Sequence, residues 1–345
     1  MVLLLYLVLA ILFLVLLFCL IFAWAVLRAA FGNRQEGSPY LNYFTAADFE
    51  DLAAEAVEFP NRRGETLRGN LYFESGRTDF RALLIFAHGM GGGHLSYTTE
   101  LDFFAKQGFL VLAYDATGTM ASDGKSLRGF GQSVSDLQSA LAFAAQDEKT
   151  RALPVVLCGH SWGAYAVCRA QSPAVRGVVA FSAPEDAATL LCAQASAQTG
   201  APFGALKPFL RLWERLRFGK TAAAQTSKVL RTANVPVLLL HGGKDAVVPL
   251  SNAAANAPHL SENPHIKRVI YPEKRHNVYN TLEAEAGVAE TLERFGVLSK
   301  QKDGGADALA AYAKTLNFRK LCEEDPAVMQ TVEQFLEECL LDQQA

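Results

Sequence analysis

The chain has 345 residues, room for one large domain or two medium ones, and half of them are apolar, an excess concentrated in the first 27 positions. Its 32 basic and 35 acidic side chains leave a formal charge of -3, which offers no basic surface for nucleic acid. The six cysteines, Cys19, Cys158, Cys168, Cys192, Cys322 and Cys339, form no C-x-x-C pair and share no metal-ligand spacing with histidine, so free thiols in a reducing compartment are expected rather than disulfides or zinc.

Met1 to Leu27 carries no charge. As a helix it would extend roughly 40 Å, beyond the ~30 Å hydrocarbon core of a bilayer, and residues 1–27 read as a tilted, uncleaved transmembrane anchor. Ala23-Trp24-Ala25 fits a signal-peptide cleavage pattern, but the apolar run is longer than such peptides use and no basic residue precedes it. Arg28 and Arg34 follow the segment, so the positive-inside rule places the rest of this single-pass chain on the cytoplasmic side of the cell membrane.

Residues 28–52, with Gly37-Ser38-Pro39, read as a juxtamembrane linker, and 53–345 as one α/β domain in which strands and helices alternate. Strands are expected over Glu55 to Phe59 and Thr66 to Phe73, then in the apolar runs Ala82 to Ala87, Pro154 to Cys158, Gly177 to Phe181 and Val235 to Leu240, and over Lys267 to Tyr271. An insertion at about 185–234 holds an amphipathic helix, Pro208 to Leu216, and extra helices are expected within about 281–320, over Leu282 to Phe295 and Ala306 to Leu316, parted by the polar run from Lys300 to Gly305. Asp325-Pro326 sets an N-cap and a proline at the first position of a closing helix ending at Leu341.

Gly159-His160-Ser161-Trp162-Gly163 follows one of the apolar strands and leads into a helix, so Ser161 sits at a sharp turn that exposes its hydroxyl. A serine needs a base to take its proton and a carboxylate to orient that base. His276, beyond the Lys267 to Tyr271 strand, is the expected base, and Asp245, beyond the Val235 to Leu240 strand, is preferred to Asp186 as the acid. His88 and His241 open H-G turns and should bond the backbone, His160 should pack in the turn, and His94, His259 and His265 should be solvated.

The order Ser161, Asp245, His276, with His88-Gly89-Met90-Gly91-Gly92-Gly93 after an earlier strand, resembles the α/β-hydrolase family, and within it the serine-aminopeptidase and monoacylglycerol-lipase-like hydrolases. The resemblance runs from about Glu55 to the C-terminal helix. It implies a mostly parallel central sheet with helices on both faces, a helical lid at the 185–234 insertion, and an oxyanion hole made by the backbone N–H groups of Met90 and Trp162. It also implies a structural role for Asp115 in a D-x-x-G-x-G-x-S segment, from which this chain departs by placing Met120 or Thr119, depending on the alignment, at the second glycine.

The resulting expectation is a membrane-anchored serine hydrolase, needing no cofactor or metal, that cleaves an ester, thioester or amide of a small-molecule or lipid-like acyl substrate through an acyl-serine intermediate. Two alternatives stand beside it. One is an aminopeptidase of the same fold, with Glu185 and Asp186 as candidates to hold the substrate's amine. The other is a catalytically silent, membrane-tethered binding module.

Overall fold

The computed structural model describes residues 1–170, 172–301 and 304–341. The chain begins with α1, Val2–Phe31, whose most apolar window has a mean hydropathy of 3.3 and no buried residue. Residues 28–31, expected as linker, are therefore helical. Nothing before Gly32 breaks the helix, and Arg28 in the last turn lies over the Trp24 ring at 5.5 Å, where its charge also complements the helix C-terminus. A helix of this length and composition can cross a membrane, a test that a signal sequence also passes.

An eight-stranded sheet follows, in the order β1-β2-β4-β3-β5-β6-β7-β8. Its strands are β1 Leu52–Pro60, β2 Thr66–Glu74, β3 Leu83–Ala87, β4 Leu110–Tyr114, β5 Val155–His160, β6 Val175–Phe181, β7 Val237–Gly242 and β8 Ile266–Tyr271. β1 begins at Leu52, inside the stretch expected as linker, because the hairpin pairs Leu52 with Glu74. The β1–β2 and β2–β4 pairs are antiparallel and the other pairs are parallel.

Parallel strands survive only with both faces covered, and alternate residues of β3 show how that is met here. Leu83, Ile85 and Ala87 face a core built with α3 (Gln132–Ala144) and α4 (Trp162–Val167). Leu84 and Phe86 face the opposite core, built with α2 (Thr98–Lys106) and α11 (Pro326–Leu341). The expected N-cap of α11 is present, Asp325 Oδ1 accepting the Ala327 N–H at 2.9 Å. Cys19, Cys158, Cys168, Cys192 and Cys322 are free thiols.

Between β6 and β7 lie α5 (Ala187–Thr199), α6 (Lys207–Phe218) and α7 (Thr226–Leu230). The amphipathic α6 packs against α1: Trp213 Nε1 donates to Leu20 O at 3.0 Å, and Phe203 stacks on Phe22 at 5.9 Å. Ala23, Leu27 and Phe31 of α1 are buried and belong to the main core, Phe31 meeting the Phe130 ring edge-on. After β8 come α8 (Leu282–Leu298), α9 (Gly305–Ala313) and α10 (Phe318–Leu321); Lys302 and Asp303 of the polar run lie outside the described residues.

Candidate active site

β5 ends at His160 and α4 begins at Trp162, so Ser161 alone makes the connection, at φ 54° and ψ -110°. A non-glycine residue there is strained and is held by its surroundings. Its N–H donates to Phe181 O at 2.8 Å. The flanking glycines are required sterically, since a Cβ on Gly163 would lie 1.9 Å from Ala87 O and one on Gly159 would lie 2.7 Å from the Gly163 carbonyl carbon. Trp162 occupies the first position of α4, where a backbone N–H has no partner within the helix.

The loop after β7 turns Asp245 inward. Its Oδ1 accepts the N–H groups of Val247 and Val248, both at 2.8 Å, leaving Oδ2 for His276 Nδ1 at 2.7 Å. The Asp245 side chain is fully buried and that of His276 is 18 % exposed. Burial alone would raise the Asp245 carboxyl, but the hydrogen bond and charge of His276, with help from the Val248 N–H and His241, hold it below the ordinary aspartate value. An ionised carboxylate only accepts, so Nδ1 is the donor, which in the uncharged tautomer leaves the lone pair on Nε2.

His276 is also held from behind. Its carbonyl accepts from Ser182 Oγ at 2.7 Å and from His160 Nε2 at 3.1 Å. His160 is buried, which together with nearby His276 lowers it to about 3, so the ring is neutral and its Nδ1 accepts from the Tyr97 hydroxyl at 2.8 Å. Tyr97 in turn accepts the Gly89 N–H at 2.9 Å. One chain of hydrogen bonds thus joins the H-G loop, the serine turn and the histidine loop. No hydrogen bond joins Ser161 Oγ to His276 Nε2 in this geometry; such contacts commonly tighten only when substrate is bound.

Some of the other candidate residues have surroundings different from those expected, and others do not. Asp186 caps α5 by accepting the Thr189 N–H at 2.6 Å and pairs with Arg211 at 2.9 Å. Glu185 accepts the Ser227 N–H at 2.9 Å and the Ser227 hydroxyl, so both acids already have partners. His94 is buried, not solvated, because Asp115 Oδ1 accepts both its N–H and its Nδ1–H, at 2.9 and 2.8 Å. His259 and His265 are exposed as expected, while His88 Nε2 accepts the Ala116 N–H at 2.9 Å and His241 Nε2 donates to Val248 O at 2.9 Å. Met120 has φ 38°, in the left-handed region that favours glycine. Tyr97 and Ser182 were not singled out in the sequence, since their partners lie 63 and 94 residues away and no motif marks them.

The family model described as serine aminopeptidase, S33, matches residues 78–198, from just before β3 to the end of α5. A monoacylglycerol lipase of Mycolicibacterium smegmatis is 26 % identical over 59 % of this chain and 84 % of its own length. An esterase of Pyrococcus furiosus, Pf2001, superposes with a TM-score of 0.56 at 17 % identity, covering 78 % of this chain and 98 % of the esterase. With the strand order above, these likenesses decide the fold.

The chain has the α/β-hydrolase fold. Among other solved hydrolases of this fold, an acylaminoacyl peptidase of Pyrococcus horikoshii superposes with a TM-score of 0.50 at 15 % identity, over 67 % of this chain and 38 % of the peptidase. The present hydrolase thus shares its fold with both esterases and peptidases, and its substrate class has to be argued from its own residues.

Proposed function

We propose that the chain is a membrane-anchored serine hydrolase that cleaves a carboxylic ester or thioester through a covalent intermediate on Ser161. The observation that carries this reading is the 2.7 Å bond from His276 Nδ1 to the buried, ionised Asp245, on a loop hydrogen-bonded to the residue preceding a strained serine. His276 Nε2 takes the Ser161 proton as Oγ attacks the carbonyl carbon, and returns it to the leaving oxygen or sulfur as the carbonyl reforms. A water activated by the same nitrogen then releases the acyl group. Charge on the carbonyl oxygen is met by the N–H groups of Met90 and Trp162, each worth roughly 3 kcal/mol to the transition state. The chemistry uses only groups of the chain and calls for no cofactor.

An ester or thioester is favoured over an amino-terminal peptide because Glu185 and Asp186, the nearest candidates to hold a free amine, are already occupied by Ser227 and Arg211. The exposed apolar length of α1 supports membrane attachment and, with the lipase relative, a lipid-like acyl group. Arg28 and Arg34 favour a cytoplasmic domain, and the segment with α5, α6 and α7 is assigned the role of lid.

Fluorophosphonate labelling of the full chain, followed by a panel of p-nitrophenyl acyl esters of graded length against amino-acid arylamides, tests this reading. Labelling and ester turnover should both vanish in Ser161→Ala. Labelling that persists in that variant would overturn the nucleophile, and preferential arylamide cleavage would move the substrate class to peptides.

A further inference from the structure

Residues Met90, Gly91 and Gly92 form the tip of the H-G loop, and the structure ties that tip down at a single point. Gly91 sits at φ 104°, in the region that favours glycine, and a Cβ there would meet open space, so neither side-chain packing nor a ladder steadies it. The one hydrogen bond recorded for these residues, among the described residues, runs from the Gly91 N–H to Gln35 Oε1 at 2.9 Å.

Gln35 belongs to the segment leaving α1, far from the loop in sequence, and its own backbone is fixed. Its N–H donates to Gly118 O and its carbonyl accepts the Met120 N–H, both at 2.9 Å. The next residue back, Arg34, donates to Ser122 O at 2.6 Å, to Gly124 O at 3.1 Å and to Met120 O. Nearer the helix, the Leu127 N–H reaches Asn33 O at 3.3 Å and the Arg128 N–H reaches Phe31 O at 3.1 Å. The segment is thus an extra strand-like strap on the loop after β4, and it aims one amide oxygen at the glycine tip.

We infer that Gln35 is a positioning residue: by occupying the Gly91 N–H it fixes the tip so that the adjacent Met90 N–H remains directed to the acyl oxygen. The inference rests on the proposed use of Met90. It makes the exit of α1 part of the active site, because the strap that holds the loop is continuous with the last turn of that helix.

The test uses the full chain in detergent micelles with two substitutions that leave the strap's backbone bonds intact. Gln35→Met keeps the length and removes the acceptor, whereas Gln35→Glu keeps an acceptor oxygen. Gln35→Met should lower kcat on a p-nitrophenyl ester about 3- to 10-fold, the worth of one hydrogen bond, with KM little changed and a parallel fall in the fluorophosphonate labelling rate. Gln35→Glu should restore most of the rate, and the thermal midpoint should hold in both. Unchanged kcat in Gln35→Met, equal losses in both variants, or a rate loss that tracks a falling thermal midpoint would each overturn the positioning role. Ser161→Ala is assayed alongside: if it is inactive while Gln35→Met is not impaired, only the role of Gln35 fails. If Ser161→Ala still turns over, the reading of the site fails with it.

Discussion

His160 Nε2 lies 3.1 Å from the His276 carbonyl oxygen, and the two imidazole rings are 4.6 Å apart centre to centre. The residue before Ser161 therefore holds the backbone of the proposed base, while its other nitrogen is held by Tyr97 and, through Tyr97, by Gly89. Removing the hydroxyl at the middle of this chain strands a buried N–H and a buried ring nitrogen together. Tyr97→Phe should cost about 2 kcal/mol or more in stability, because unpaired buried polar groups keep their full desolvation penalty. Urea unfolding measures this; a midpoint equal to that of the parent would show that the hydroxyl carries no such load.

Asp245→Asn keeps the oxygen that accepts from Val247 and Val248 but turns an amide N–H toward His276 Nδ1. The ring would then be held in the opposite tautomer, with Nε2 protonated and unable to take the serine proton. Turnover should fall about 10³- to 10⁴-fold with folding preserved. Steady-state kinetics on a p-nitrophenyl ester at neutral pH reads the effect, and a loss smaller than tenfold would show that Asp245 does not set the tautomer.

The serine turn is sterically closed. Gly163→Ala would push a methyl to within 1.9 Å of Ala87 O and close to the His88 carbonyl, backbone atoms of β3 and its exit that cannot swing aside. A destabilisation of roughly 3 kcal/mol or more is expected, with loss of soluble protein. Gly296→Ala in α8, where a Cβ meets nothing within 4 Å, should instead stabilise by roughly 0.5–1 kcal/mol. Thermal melts of the pair decide the point, and equal responses would refute it.

Glu100 is buried in α2, and burial raises its carboxyl to about 8; burial, with Glu100 and Asp102 nearby, also raises Glu324, while Lys106 acts in the opposite sense. The unfolded chain releases such a proton near the ordinary glutamate value of 4.5, so between there and about 8 the folded state binds more protons. Stability is then complete below about 4.5 and declines as pH rises toward 8, by up to roughly 1 kcal/mol per unit for one carboxyl. Glu100→Gln should flatten that slope in urea melts taken across this range. An unchanged slope would assign the pH dependence to other groups.

Much of the architecture could be read from the chain because strands buried on both faces must be continuously apolar, and Val237 to Leu240 or Leu83 to Ala87 can be little else. The loops bearing Ser161 and Asp245 could be located for the same reason, each standing where such a run ends, whereas His276 follows the part-exposed edge strand β8. What escaped the reading depends on contacts between residues far apart in sequence. His94 looks like a solvated loop histidine until β4 delivers Asp115 to it, and Glu185 and Asp186 look exposed until α7 and α6 supply Ser227 and Arg211. The strap at residues 33–37 read as linker because its bonds are made by the backbone and by Arg34 and Gln35, whose partners no periodicity announces. Residues 28–31 resemble linker because the uncharged run stops at Leu27, whereas Arg28 suits a final helical turn.

The burial of Ala23, Leu27 and Phe31 divides the first helix into two unequal jobs. The stretch before Cys19 touches little of the folded body, and trimming it away would remove greasy surface without opening the interior. Trimming to Gly32 would uncover the trough where Leu27 and Phe31 sit, free Trp213 from Leu20 and leave Phe130 facing water. A soluble version of this hydrolase suited to crystallisation should therefore start close to Cys19 and keep the final turns as an integral wall of the molecule.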